Sequence, residues 1–131
     1  MTNWIKNQKP TNVPFEIGVI QLAWLGDSVW ELHQRLRHIN LPAKSKELHL
    51  SVVGEVKATS QAESLKFIEP LLNSSEINLV RRARNKAKRC PKSLTPAIYA
   101  QSTGFETLIG WLFLNNPQRL SKLLEQLENK A

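Results

Sequence analysis

The sequence predicts an all-α fold, a helical bundle. Apolar residues recur at spacings of three and four along most of the chain, no alternating run is long enough to compete as a strand, and several segments open on a proline or a capping polar residue. A chain of 131 residues has the size of one domain. At about this length a domain buries roughly two thirds of its unfolded surface. Residues 1–13, dominated by polar residues and prolines, read as an arm with Trp4 as an anchor, and residues 14–131 as the folded domain.

A first helix is expected from Pro14, which suits the first helical position, to about His38 or Asn40, with Gly18 or Gly26 as the place of a bend. Its core-facing stripe is read as Ile20, Trp24, Leu25, Val29, Leu32 and Leu36. Pro42 closes that segment. Lys44 to Lys57 reads as a mixed helical stretch with a break at Gly54, and the residues from Ala58 as a helix running towards Leu72. Asn73 followed three residues later by Glu76 has the capping-box spacing, so a helix is expected from about Ser74 to Lys88, its basic end at the negative pole of the helix dipole. Cys90 to Thr95 reads as a loop. Thr95-Pro96 and Asn116-Pro117 are start signals for two more helices, the second amphipathic through Leu120, Leu123, Leu124 and Leu127.

Lys and Arg total 18 against 11 acids, a formal net charge of +7. Arg81, Arg82, Arg84, Lys86, Lys88, Arg89 and Lys92 are seven cations with no acid among them, an excess as large as that of the whole chain. A charge run is often only a solvated helix face. This one is unmixed and abuts a turn, and Lys and Arg at such density bind nucleic-acid backbones by displacing condensed counterions. A phosphate-rich polymer is the expected partner. No apolar stretch approaches the roughly 18 to 20 residues of a membrane span, and the first ten residues lack the apolar core of a signal peptide, so a cytoplasmic location is expected. The single Cys90 cannot form an intrachain disulfide and has no Cys or His company at zinc-ligand spacing; it is read as incidental.

Two acids stand out. Asp27 ends Leu22-Ala23-Trp24-Leu25-Gly26-Asp27, and Glu106 lies within Thr103-Gly104-Phe105-Glu106-Thr107-Leu108-Ile109-Gly110. A helix burying such neighbours would bury the carboxylate too, and a buried charge needs a partner. Two carboxylates about 4 Å apart would repel by roughly 4 kcal/mol at an effective dielectric near 20. A divalent cation removes that penalty, and Mg2+ is commonly held by one or two carboxylates plus waters and a substrate phosphate. The bland alternatives are a capping acid beside Gly26 and a surface acid on an amphipathic helix.

At Leu25-Gly26-Asp27 together with Phe105-Glu106 the sequence resembles the ribonuclease III catalytic domain, and most closely the Mini-ribonuclease III type, which consists of this domain without a separate double-stranded-RNA-binding domain. The resemblance runs from about Pro14 to Leu127. It rests on four motifs in order: Leu22 to Glu31, Ser60-Gln61-Ala62, Arg81-Arg82-Ala83-Arg84-Asn85, and Thr103 to Leu112. The larger enzymes carry further acids where this chain has Ile20, Ala23 and Thr103, which implies a reduced metal shell. Mini-type proteins commonly have Gly where this chain has Ala83, and Ala favours a helical backbone, so the following loop should start slightly later.

The resemblance implies that Asp27 and Glu106 are the catalytic, Mg2+-coordinating residues and that Arg81, Arg82, Arg84, Asn85, Lys86 and Lys88, with the loop to Lys92, contact RNA. It implies a Mg2+-dependent endoribonuclease acting on double-stranded RNA, leaving 5'-phosphate and 3'-hydroxyl ends. The expected natural substrate is precursor 23S ribosomal RNA, matured at its 5' and 3' ends. A two-fold homodimer is implied as well. Trp24, Trp30 and Trp111 suit either core packing or that interface. Glu31 suits an ion pair with Arg35 or an outer ligand position; His33, His38 and His49 suit surface or RNA-contact roles; Ser60 and Gln61 suit either RNA contact or packing. The alternative reading is a catalytically silent RNA-binding or ribosome-associated protein of the same fold, which the presence of both Asp27 and Glu106 disfavours. A helical DNA-binding regulator is weaker still, since it leaves those two acids unexplained.

Overall fold

The computed structural model describes residues 18–40 and 58–129. Five α-helices follow one another: α1 (Val19–His38), α2 (Ala58–Ile68), α3 (Ser74–Lys86), α4 (Pro96–Asn115) and α5 (Pro117–Glu128), with a 3-10 turn (Glu69–Leu71) after α2. There is no strand among the described residues. The expected arm, the helix start at Pro14, the stretch 44–57 with Gly54, and His49 lie outside them.

Four helix starts follow from identified residues. Gly18 precedes α1 and donates its N–H to Gln21 Oε1 at 2.9 Å. The Asn73–Glu76 capping box forms in both directions, each bond 2.9 Å long. Thr95 Oγ1 accepts from the Ile98 N–H at 3.2 Å and Asn116 Oδ1 from the Arg119 N–H at 3.1 Å, with Pro96 and Pro117 in the first turns of their helices. The expected end of α3 at Lys88 moves to Lys86. The loop that follows turns at Pro91, whose carbonyl accepts from the Leu94 N–H at 3.1 Å, and the Cys90 thiol faces the Pro91 and Leu94 carbonyls at 3.3 Å. Cys90 is therefore part of the loop's own bonding rather than incidental to it.

Helix α4 is the hub. It is apolar on almost every side, with Phe105, Leu108, Ile109 and Leu112 at most 1% exposed, and α1, α2, α3 and α5 all pack against it. Glu76, buried at the start of α3, takes two hydrogen bonds from Arg119 at 2.9 and 3.0 Å, and Arg119 also donates to the Leu71 carbonyl at 2.6 Å. That ion pair fastens α5 to the α2–α3 junction. Burial works against the charged form of Glu76, but the Arg119 and Asn73 hydrogen bonds and the Arg119 charge hold its pKa below the ordinary value.

The stripe expected on α1 is corrected. Leu22, Ala23, Gly26, Trp30 and Gln34 are buried, while Ile20, Trp24, Leu32 and Leu36 are exposed, Trp24 at 81%; Leu25 and Val29 are intermediate. The buried side is the one that carries the small residues. A Cβ placed on Gly26 would lie 1.8 Å from the Glu106 carbonyl oxygen, and one on Gly110 would lie 2.1 Å from that of Leu22. The backbones of α1 and α4 thus touch directly, with Leu22 opposite Gly110 and Gly26 opposite Glu106. No bend is needed at Gly26, where α1 runs on uninterrupted. Trp30 then meets Phe105 edge to face at 4.9 Å, and the buried Thr107 hydroxyl reaches the Val19 carbonyl at 3.0 Å and the Thr103 carbonyl at 2.8 Å.

Gly26→Ala and Gly110→Ala should each lose about 3 kcal/mol or more, the upper end of overpacking costs, because backbone atoms must move apart. At Gly104 the new Cβ would meet the Val80 Cγ1 and Arg84 Cγ side-chain atoms at 3.0 and 3.2 Å. Those can yield, and the helix propensity gained, about 1 kcal/mol, should leave Gly104→Ala near neutral. Urea unfolding of the three variants checks this; equal midpoints would contradict the direct backbone contact.

Candidate active site

The close crossing of α1 and α4 delivers the two acids to one place. Gly26 lies over the Glu106 backbone, so Asp27, one residue on, projects beside the Glu106 side chain. Asp27 is exposed, whereas Glu106 is only partly exposed, which corrects the expectation that both are buried. The third side of the site is α2. Gln61, 2% exposed, donates through Nε2 to Glu106 Oε2 at 3.4 Å and accepts through Oε1 from the Ser102 hydroxyl. Gln61 is thus a packed residue bonded to the candidate carboxylate, which settles its role against a surface RNA contact.

Burial pushes the Glu106 carboxyl up, the hydrogen bond it shares with Asp27 and the Asp27 charge push it further, and the bond from Gln61 opposes them; the result is a pKa of about 8. Such a group is a poor ornament and a good cation ligand: a divalent ion between the two carboxylates would relieve both the repulsion and the desolvation. Among the described residues no group of three or more His, Cys, Asp and Glu side chains comes together. The pair therefore fits a hard cation that completes its shell with water and phosphate, and not an all-protein zinc cage.

The other candidates separate. Glu31 pairs with Arg35 at 3.3 Å on the solvent side of α1. His33 stacks on Trp30, with ring centroids 5.6 Å apart, and contacts Glu128 at 3.3 Å; burial lowers its pKa, with Glu128 opposing and Arg37 adding. Both ring nitrogens of His38 are buried without a hydrogen-bond partner. Neither His is the surface residue expected. Trp30 is core, Trp24 is outside, and Trp111 lines a surface pocket with Ser75, Asn78, Leu79 and Arg82. Ala23 and Thr103 are buried, and the Thr103 hydroxyl is bound to the Tyr99 carbonyl at 2.9 Å.

The basic residues form one exposed surface. Arg81, Arg82, Arg84, Asn85, Lys86, Lys88, Arg89 and Lys92 all face solvent, and none of the cations is in an ion pair among the described residues. Ala83 is the exception within the run, fully buried against the hub. Gly104, two residues before Glu106, admits Val80 and Arg84 to the surface of α4, which ties the basic helix to the helix that carries the candidate site.

The described residues thus form a helical domain in which two acids meet at a glycine crossing beside a strongly cationic helix. Residues 20–117 match the ribonuclease III domain family. The chain is 51% identical over 106 residues to Mini-ribonuclease 3 of a Synechococcus species, covering 81% of this chain and 77% of that one. It is 38% identical over 120 residues to Mini-ribonuclease 3 of Thermosynechococcus vestitus, covering 92% and 80%. A crystal structure of a Fusobacterium nucleatum protein superposes with a TM-score of 0.80 at 26% identity, over 88% of this chain and 95% of that one. The chain belongs to the ribonuclease III domain family, in its Mini-ribonuclease III branch.

The raised Glu106 pKa has a stability consequence with a definite sign. The unfolded chain releases this proton near the ordinary value of 4.5 and the folded protein near 8. Between those values the folded state binds the extra proton, so stability falls as pH rises. In EDTA, the melting temperature of Glu106→Gln should therefore gain on wild type from about pH 5 to about pH 8 and then level off. Parallel pH profiles would contradict the strained carboxylate.

Proposed function

We propose that this ribonuclease III-type endoribonuclease hydrolyses double-stranded RNA with Mg2+ held by Asp27 and Glu106, leaving 5'-phosphate and 3'-hydroxyl ends. The observation that carries the reading is the partly buried Glu106 set against Asp27 at the α1–α4 crossing, a costly arrangement that a divalent cation relieves. When bound there, Mg2+ supplies Lewis acidity towards the attacking water and the scissile phosphate. The chain's own part is positional. Asp27 faces solvent, where a duplex backbone can approach, and Glu106 is held from behind by Gln61. The exposed cations from Arg81 to Lys92 neutralise neighbouring phosphates, a sequence-independent grip suited to duplex RNA, which is recognised by backbone, 2'-hydroxyl and shape.

The substrate in the cell is read as precursor 23S ribosomal RNA, cut near its paired 5' and 3' ends in the cytoplasm. The shared Mini-ribonuclease III family supports that reading. Among the described residues no helix is long and apolar enough to cross a membrane. The working form is read as a two-fold homodimer, each protomer cutting one strand. Its support is the apolar face that α1 leaves outside, Ile20, Trp24, Leu32, Leu36 and Ile39, every one at least half exposed in the single chain.

Asp27→Asn should abolish cleavage of a labelled duplex in Mg2+ while duplex affinity stays close to wild type, because the ligand is lost and the basic surface is not. Joint loss of binding and fold would count against the assignment. Replacing Arg82 and Arg84 together with Ala should weaken duplex binding and reduce the slope of log affinity against log salt by about two. An unchanged slope would place the RNA surface elsewhere.

A further inference from the structure

We infer that Gln61, clamped by Ser102, is a positioning residue that orients the Glu106 carboxylate towards the cation, an inference that rests on the metal-dependent reading above. Gln61 and Ser102 come from different helices, are 2% and 5% exposed, and meet only because α2 packs on α4. The amide has a donor end and an acceptor end. Nε2 donates to Glu106 Oε2 at 3.4 Å, and Oε1 accepts from the Ser102 hydroxyl. Ser102 and Glu106 are four residues apart on α4, hence on one face, and a single glutamine spans both.

Ser102 is set apart from its neighbours by how it uses its hydroxyl. Thr103 and Thr107 on the same helix bond back to the carbonyls four residues earlier, Tyr99 at 2.9 Å and Thr103 at 2.8 Å, the ordinary habit of hydroxyls inside helices. Ser102 reaches across to α2 instead. The Glu106 carboxylate sets which end of the Gln61 amide faces it, since the flipped amide would set an oxygen against a carboxylate, and the Ser102 hydroxyl holds the other end by donating to Oε1. The amide is also neutral: it holds one carboxylate oxygen without competing with the cation, as a lysine would, and without adding a third negative charge. Gln61 thereby restrains the carboxylate of Glu106 beside Asp27.

The test compares wild type, Gln61→Met, which keeps the volume and removes the amide, and Ser102→Ala, which removes only the clamp. Three quantities are read: Mn2+ affinity of the RNA-free protein by calorimetry, kcat and KM on duplex RNA in Mg2+, and the melting temperature. Loss of an outer-shell partner typically costs 10- to 100-fold, so Gln61→Met should lose about ten-fold in Mn2+ affinity and in kcat, with KM for RNA unchanged. Ser102→Ala should move the same way by less. A residue that only packs would lower the melting temperature and leave Mn2+ affinity and kcat at wild-type values; that result in Gln61→Met, or in Ser102→Ala should Gln61→Met fail to fold, overturns the inference. Wild type that neither binds Mn2+ nor cuts RNA would sink the nuclease reading and this inference together. Wild type that does both beside two unaltered variants would sink the inference alone.

Discussion

Gly26 and Gly110 bring two helix backbones into contact with no side chain between them, and the arrangement of the other elements follows from that contact. With Gly26 seated on the Glu106 carbonyl and Gly110 on that of Leu22, α1 has one rotation available about its axis. That rotation buries Leu22, Trp30 and Gln34 and sets Asp27 beside Glu106. It also turns Ile20, Trp24, Leu32 and Leu36 outward. One steric condition thus fixes the core, the candidate site and the exposed apolar face of α1. Glycine in mid-helix costs about 1 kcal/mol against alanine, and here the backbone approach offsets it.

Glu106 sits on the most buried of the described helices, an expensive place for an acid. Glu106 follows fully buried Phe105 and precedes fully buried Thr107 and Leu108. Its raised pKa measures the strain that remains after Gln61 has donated its hydrogen bond. A rigid, apolar support of this kind keeps a carboxylate from swinging away to solvent, which a cation-binding pair needs more than it needs stability. The basic surface obeys the opposite logic. Its cations are exposed and in no ion pair among the described residues, and Ala83 with the Arg84 stem against Gly104 ties the run to the core. Glu106 is thus held on the hub with Asp27 beside it from α1, while the cations of α3 stand free in solvent.

Much of this was legible in the chain. The helix starts at Asn73, Thr95 and Asn116 are local chemistry, and local chemistry can be read residue by residue. Asp27 and Glu106 were legible because acids inside apolar runs are costly. The α1 stripe was misread because hydrophobicity alone chose the larger side chains, whereas the close crossing chose the small ones, Ala23 and Gly26. A glycine inside a helical pattern costs helix propensity and so can mark a place where another backbone comes close, as Gly26 and Gly110 do. Gln61 remained ambiguous because its partners, Ser102 and Glu106, are 41 and 45 residues away, and no local pattern announces a hydrogen bond over that separation. The early end of α3 is set at Ala87, whose extended backbone closes the helix with its N–H on the Ala83 and Arg84 carbonyls, and no residue type there announces a stop.

A two-carboxylate site assembled by the glycine crossing, with a divalent cation held between Asp27 and Glu106, should cut duplex RNA. The most direct measurement is cleavage of an end-labelled RNA duplex, including one from precursor 23S ribosomal RNA, by wild type and by Glu106→Gln, each in Mg2+ and in EDTA. Cutting is expected from wild type in Mg2+ alone. Cutting that survives EDTA or the Glu106→Gln substitution, or tight binding by wild type with no cutting of any duplex, would contradict that reading.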